Sequence, residues 1–485
     1  MTVAHLASEV APFSKTGGLA DVTGALPQAL VRAGLQVAVI SPLYPSVVEA
    51  GFNPAISDTF TVTVGDRTRT VRLLELVDRG VRYIFVDEPG FFGRAGIYGD
   101  AHGDYPDNAE RFILFCRAAL EAVARLVPEP DVVHCHDWQT ALVPLLVKEC
   151  FPALNWMPTV LTIHNLGYQG NFPKEKFQLL GVPARLFGPD GVEFYGSVSF
   201  LKAGLLFADR LTTVSPTYAR EIMTAELGFG LDGVLRARAA DLSGILNGID
   251  VEVWNPSKDP YLDLCFDSQS LTAKDRNREQ LSRELSLRSD RSPLFGCVTR
   301  LAGQKGIDKL IAVIPELVAA GARVAILGSG SAEFESKLAK TASDHPGAVA
   351  VKLEFSEPLA HRIYAGSDFF LMPSEYEPCG LGQMIALRYG TIPIASRTGG
   401  LADSIIDFDE YPDSGTGFLF TRGVLAEFSA KLQHALDLYR DKETLASVRQ
   451  RAMATDFSWD ARCQDYVRLY SELVVKPLPN RNRPG

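Results

Sequence analysis

Thr16-Gly17-Gly18-Leu19-Ala20-Asp21 stands near the start of the chain, and Thr398-Gly399-Gly400-Leu401-Ala402-Asp403 near its end. Each copy follows a strand-like apolar run, 3–7 or 391–395, and opens a segment that reads as a helix. Glycines at a strand-to-helix turn let the backbone approach a ligand closely. A helix N-terminus then aims unpaired N–H groups and partial positive charge at an anion. An ordinary Gly-Gly turn accounts for either copy alone. Because the word recurs, the reading is two turns facing one anionic ligand. The copies lie at unmatched depths in the two halves, so they are not a tandem repeat in register.

Short apolar runs at 3–7, 36–41, 81–86, 131–135, 159–164 and 210–215 alternate with helical stretches such as 20–33, 108–126 and 140–149. The runs are nearly continuous rather than alternating, the pattern of parallel strands covered on both faces. A second series follows at 245–247, 294–298, 323–327, 349–355, 369–372 and 392–395, with helices at 306–320 and 357–366 between them. The charge-dense stretch 267–292 reads as a helical segment or an excursion rather than core. The fold class is α/β, with two doubly wound, Rossmann-like domains facing across a deep cleft. The boundaries are 1–246, 247–456 and a last helical region over 457–485, with the hinge at Asn247-Gly248-Ile249-Asp250 and a frayed tail over 476–485.

A chain of 485 residues, 46% hydrophobic and 22% charged, has material for about two to four domains with substantial cores. A net charge of −10 without a Lys/Arg-rich run lacks the footprint of a nucleic-acid binder. The seven scattered cysteines include no Cys-x-x-Cys pair, which points to reduced thiols and a cytoplasmic location. No leader pattern and no bilayer-length apolar run is visible, so no membrane association is expected.

Ligands of open α/β sheets bind beyond the carboxyl ends of strands, and the candidate residues collect there. Lys15 precedes the first Gly-Gly turn; Arg300 and Lys305 follow the run 294–298. Cations in such loops can hold phosphate oxygens together with backbone N–H groups. Glu377, at the end of 369–372, can accept sugar hydroxyls while the N–H groups after it meet phosphate. His134-Cys135-His136-Asp137-Trp138 ends another strand. Its two histidines point to one side, which can suit a metal, but no third ligand run accompanies them and no metal is expected. Trp138 suits a sugar platform or a core position. His164-Asn165 closes the next strand. Asp407-Phe408-Asp409 is formally an Asp-x-Asp and reads as a solvated acidic loop.

Several motifs resemble bacterial glycogen synthases and plant starch synthases. They are Ser8-Glu9, Lys15 through Asp21, His136-Asp137-Trp138, Thr162-Ile163-His164-Asn165, Val214-Ser215-Pro216-Thr217-Tyr218, Leu246-Asn247-Gly248-Ile249-Asp250, Gln304-Lys305-Gly306, Glu377-Pro378-Cys379-Gly380-Leu381 and Arg397 through Asp403. The resemblance runs from about residue 2 past Phe457-Ser458-Trp459. It implies the GT-B architecture, a C-terminal helix crossing back onto the first domain, and retaining transfer of glucose from ADP-glucose to the non-reducing 4-OH of an α-1,4-glucan such as glycogen. It implies no cofactor and no metal. By motif, Lys15, Gly17, Gly18 and Asp21 fall at the nucleotide sugar. Arg300 and Lys305 stabilise the diphosphate as charge develops on departing ADP. Glu377 binds glucose hydroxyls, with the backbone of Cys379, Gly380, Leu381 and Gly382 and the turn Thr398-Gly399-Gly400 alongside. His164, Asp137 and Asn165 line the sugar, and Glu9, Tyr98 and Trp138 fall on the acceptor side.

The chain departs from the family pattern at a few of these positions. Glu375-Tyr376 replaces Arg-Phe, Gly382 stands where Thr is common, and Phe355 takes the place of a tyrosine that packs on adenine. Ala302-Gly303 is slighter than the family's pair, and Ile385 replaces the wider superfamily's second glutamate. These departures bear on donor preference. The other readings are a GT-B transferase using UDP-glucose or a small or phosphorylated acceptor, and a glucan-binding protein with a degenerate site.

Overall fold

The computed structural model of the protein describes residues 1–100 and 102–475, so the tail over 476–485 lies outside the described residues. The described chain divides into two compact units, Met1–Gly248 joined by the chain from Trp459, and Ile249–Ser458.

The sheet of the first unit has nine strands among the described residues: β1 (Thr2–Leu6), β2 (Gln36–Pro42), β3 (Ala55–Val64), β4 (Arg67–Asp78), β5 (Val81–Asp87), β6 (Val132–His136), β7 (Thr159–Ile163), β8 (Arg210–Thr213) and β9 (Leu242–Gly244), in the order β9-β8-β7-β6-β1-β2-β5-β4-β3. The run β9 to β5 is parallel, and its central strands are buried along their length, which is why they read as continuous apolar runs. β3 and β4 are a long antiparallel pair at the edge that the sequence reading passes over. Their apolar residues alternate with polar ones, and Val62, Val64, Val71 and Leu73 face inward. Strand β9 pairs with β8; the expected strand at 245–247 does not form, although Ile245 N–H still donates to the Thr213 carbonyl of β8 at 2.8 Å. The helix expected over 140–149 is two, Asp137–Thr140 and Val143–Glu149, with Pro144 in the first turn of the second.

The helix Trp459–Val475 belongs to this first unit. Trp459, Cys463, Tyr466, Tyr470 and Leu473 repeat at three- and four-residue steps, so one stripe enters the core, where it joins Val3, Phe13, Leu26, Leu30 and Val39. Arg32 and Asp460 add an exposed ion pair at 2.7 Å.

The second unit holds β10 (Leu294–Val298), β11 (Arg323–Leu327), β12 (Val349–Lys352), β13 (Phe369–Met372), β14 (Ile392–Ser396) and β15 (Phe418–Phe420), all parallel, in the order β12-β11-β10-β13-β14-β15. The polar stretch 267–292 contains the helix Thr272–Glu284, and the structure packs it rather than leaving it as an excursion. Lys274 is fully buried because its ammonium meets the carbonyls of Tyr364, Ala365 and Tyr389 and the hydroxyl of Thr391 at 2.6–3.2 Å. The Asp407 loop also differs from expectation. Asp407 is buried, paired with Arg397 and Lys431 at 3.1 Å each, and so is a structural anion rather than a solvated one. Where the polypeptide enters and leaves this unit its two segments run side by side, Ile249 N–H donating to the Phe457 carbonyl at 2.8 Å. Among the described residues no helix is long and apolar enough to cross a membrane.

Candidate active site

In the first unit the candidate residues follow the carboxyl ends of three neighbouring strands, β1, β6 and β7. After β1 the buried Glu9 carboxylate accepts from Thr16 N at 2.5 Å, Thr16 Oγ1 at 2.8 Å, Gly17 N at 3.3 Å and Tyr98 Oη at 2.5 Å. Glu9 and Tyr98 thus hold the glycine loop in place. Burial and the neighbouring Glu9 push the Tyr98 phenol well above its ordinary range, so it stays a donor. The helix Gly18–Arg32 starts without a side-chain cap. A Cβ on Gly17 or Gly18 would meet nothing within 4 Å, and neither has a positive φ. Nothing inside the protein demands glycine there; the bare backbone leaves room for something outside it. Lys15 Nζ lies on Asp21 at 2.6 Å, both partly exposed.

The second copy of the word is built differently. Gly399 has φ +43°, its Cβ would lie 2.0 Å from the Glu377 carbonyl oxygen, and a Cβ on Gly400 would lie 2.1 Å from that of Cys379. Gly400 N–H donates to the carbonyls of Glu377 and Pro378 at 3.2 and 3.1 Å. Thr398, Gly399 and Gly400 are buried and back the Glu377 loop.

After β6, Asp137 sits at φ +55°, a left-handed position that aspartate tolerates better than most residues. Its Oδ1 accepts from His164 N at 2.7 Å and Asn165 N at 3.4 Å, tying the exits of β6 and β7 together. Burial raises the Asp137 carboxyl to about 7. Trp138 packs among Phe112, Phe172 and Phe200, with Gly170 against its indole, the core position that the sequence offered beside a sugar platform.

Sequence reasoning missed a third histidine. His5 lies in β1 and pairs in register with His134 of β6. His5 Nδ1 is 3.0 Å from His136 Nε2, and His136 Nδ1 is 3.0 Å from His164 Nε2. Beside this file, His134 bonds Tyr470 Oη at 2.7 Å and Thr162 Oγ1 at 2.6 Å. One nitrogen from each of His5, His134 and His136 lies within 4.8 Å of the others, a spacing open to a metal, but both His134 nitrogens are already hydrogen-bonded. Burial lowers His5 and His164 to about 3 and drives His134 and His136 well below the ordinary range.

These shifts set a pH dependence. The unfolded chain takes up protons on these histidines below pH 6.5, whereas the folded chain keeps them neutral until far lower. Their stabilisation is complete above pH 6.5 and is lost as pH falls toward 3, by about 2 kcal/mol at pH 5 for each of His5 and His164. Asp137 opposes this, because its raised pKa penalises folding above pH 7 and the penalty lifts as pH falls. Calorimetry from pH 7 to 5 should show a steep drop in Tm, steeper still in Asp137→Asn. A flat Tm would contradict neutral burial of these imidazoles.

In the second unit Arg300 and Lys305 follow β10 and Glu377 follows β13. Lys305 Nζ is 2.6 Å from Glu377 Oε2, which also accepts from Ser374 Oγ at 3.1 Å; Glu377 is 5% exposed. Gly306 permits this approach, since its φ is +65° and its Cβ would lie 1.9 Å from the Pro373 carbonyl oxygen. Arg300 is exposed. The loop after Glu377 turns at Gly380, φ +70°, and is latched by buried Gln383, whose amide donates to the carbonyls of Cys379 and Gly380 at 3.0 Å. Leu381 and Gly382 open the next helix, and a Cβ on Gly382 would press on Phe370 and the Tyr364 hydroxyl at 3.2 Å. The carboxylate of Glu375 is taken up by Lys309, which neutralises the charge that replaces the family's arginine. Phe355, beyond β12, is 83% exposed, an aromatic face open to a flat ligand.

Residues 2–237 match the starch synthase catalytic domain and residues 278–453 the glycosyl transferases group 1 domain. A glycogen synthase of Syntrophotalea carbinolica is 46% identical over 479 residues, 98% of this chain and 99% of that one. A glycogen synthase of Koribacter versatilis is 44% identical over 99% of this chain and 100% of its own. Among solved structures, the catalytic domain of starch synthase IV from Arabidopsis thaliana, bound to ADP and acarbose, superposes with a TM-score of 0.89 at 35% identity, covering 98% of this chain and 99% of that one. A sucrose-phosphate synthase from Thermosynechococcus elongatus, at 18% identity and TM-score 0.61, shares the two-domain α/β fold.

Proposed function

The chain belongs to the glycogen synthase and starch synthase family of GT-B glycosyltransferases, and from that premise we propose that it transfers glucose from ADP-glucose to the non-reducing 4-OH of an α-1,4-glucan, with retention and release of ADP. The observation that carries the reading is the Lys305–Glu377 pair: a cation and a carboxylate 2.6 Å apart after neighbouring strands, with one glutamate oxygen taking no partner among the described residues. Lys305 and Arg300 meet the diphosphate. Their charge stabilises the departing ADP more strongly as the glycosidic bond lengthens, which lowers the barrier rather than only tightening binding. Glu377 accepts glucose hydroxyls, and the N–H groups from Cys379 to Gly382 lie beside the sugar and phosphate. Phe355 takes the adenine and Lys15, Gly17 and Gly18 the donor, while His164 and Asn165, set by Asp137, line the sugar. Glu9 and Tyr98 fall on the acceptor side, and they also hold the glycine loop that meets the donor. With cations and N–H groups supplying the positive charge, the reaction needs no metal. The free cysteines suit a reducing, cytoplasmic setting.

The assay is nucleotide release from ADP-glucose and, separately, UDP-glucose, with glycogen as acceptor and excess chelator. ADP release with α-linked glucan growth, unaffected by chelator, is the expected result. Preference for UDP-glucose would overturn the donor assignment, and no release from either would overturn the reaction.

A further inference from the structure

We propose that His136, with His5 behind it, is a positioning residue for the transfer reaction: the imidazole file His5–His136–His164 holds the proton of His164 on Nδ1, making it a hydrogen-bond donor to the sugar. The inference rests on the reading that His164 faces the sugar. A neutral imidazole carries one N–H and one lone pair, so in a file linked nitrogen to nitrogen the state of one ring fixes the others. The two links are each 3.0 Å, His5 Nδ1 to His136 Nε2 and His136 Nδ1 to His164 Nε2. Burial keeps all three rings neutral, so each holds a single proton.

The far end decides the sense. His5 Nε2 is buried and has no hydrogen-bond partner. If the protons pointed toward His5, that atom would be an orphaned buried N–H; pointed the other way, it is a bare nitrogen. Orphaned buried N–H groups are the rarer of the two. His5 therefore donates from Nδ1 to His136, and His136 donates from Nδ1 to His164. His164 accepts at Nε2 and carries its own proton on Nδ1, which takes no protein partner among the described residues and is not sealed from solvent. The rings cannot swivel freely. His134 stacks on His136 with centroids 4.2 Å apart at 29°, and is itself anchored by Tyr470 and Thr162. Asp137 meanwhile fixes the His164 backbone.

The test is 15N-histidine labelling of the full chain and two-bond proton–nitrogen correlation without substrate. The expected pattern is the Nδ1–H form at His5, His136 and His164 together, against the Nε2–H form that histidine prefers in water. His136→Asn keeps a donor near Nδ1 and should preserve the His164 form and most of kcat/KM. His136→Leu removes the donor; His164 should become a mixture and kcat/KM fall about fivefold to tenfold, the worth of one neutral hydrogen bond. Nε2–H at His164 in the unaltered protein would overturn the file even if glucose is transferred. So would an unchanged His164 form and rate in His136→Leu, or stoichiometric metal on His5, His134 and His136. If His136→Leu does not fold, the unaltered protein still decides. A protein showing the Nδ1–H pattern but transferring no glucose would fail the proposed function while the file stands.

Discussion

Lys305→Ala should lower turnover by about a hundredfold to a thousandfold, the range for removing one preorganised stabiliser of developing negative charge. The same change leaves the Glu377 carboxylate, only 5% exposed, with the Ser374 hydroxyl as its remaining partner on Oε2. Breaking such a pair from one side costs about 3 kcal/mol or more, because the abandoned charge stays desolvated. The two effects can be separated. Adding Glu377→Gln removes the stranded charge, so the double variant should regain most of the lost stability and none of the turnover. Steady-state kinetics beside denaturant unfolding reads both quantities. Lys305→Ala turning over at the wild-type rate would remove the lysine from the chemistry, whatever its stability.

Ending the chain after Ser458 should prevent the first unit from folding. The lost helix buries Trp459, Cys463, Tyr466, Leu469, Tyr470 and Leu473 in the core of that unit. At about 1.5–3 kcal/mol each, their burial is worth about 9–18 kcal/mol, at or above the whole stability of an ordinary domain at about 5–15 kcal/mol. Tyr470 also holds His134 Nδ1 at 2.7 Å, so the truncation strips one nitrogen of a buried imidazole of its partner in the same step. The expected product is insoluble or exposes its apolar surface to a hydrophobic dye. A truncated chain with a native circular dichroism spectrum and a cooperative transition would contradict this.

The parallel strands were legible because burial on both faces removes polar residues from them, so each of β1, β2, β6 and β7 announces itself locally. The loops at their carboxyl ends could be found by the same reading, since Lys15, Asp137, Lys305 and Glu377 each follow such a run. What sequence could not show depends on register and on neighbours far along the chain. His5 is one polar residue in an apolar strand, and only the pairing of β1 with β6 sets it beside His134 and His136. The two Thr-Gly-Gly words are identical in letters, yet Gly17 faces open space while Gly399 is pressed against the Glu377 carbonyl. The acidic look of Glu375 and Asp407 was misleading for the same reason, since Lys309 and Lys431 come from other segments. The long edge pair β3–β4 escaped notice because one of its faces is wet, which thins the apolar signal.

The helix Trp459–Val475 also sets an order on biosynthesis. The first unit is written in two stretches of the chain, with the second unit between them. On the ribosome, the chain through Gly248 emerges with its core lacking one wall, and the missing residues arrive more than two hundred codons later, about 10–45 s at ordinary elongation rates. Through that interval the core cluster that holds Leu26, Leu30 and Val39 lacks the side chains of this helix, although the second unit can finish folding on its own residues. The nascent protein is therefore most exposed to chaperones and to aggregation in its oldest part, and its first-made domain is the last to close.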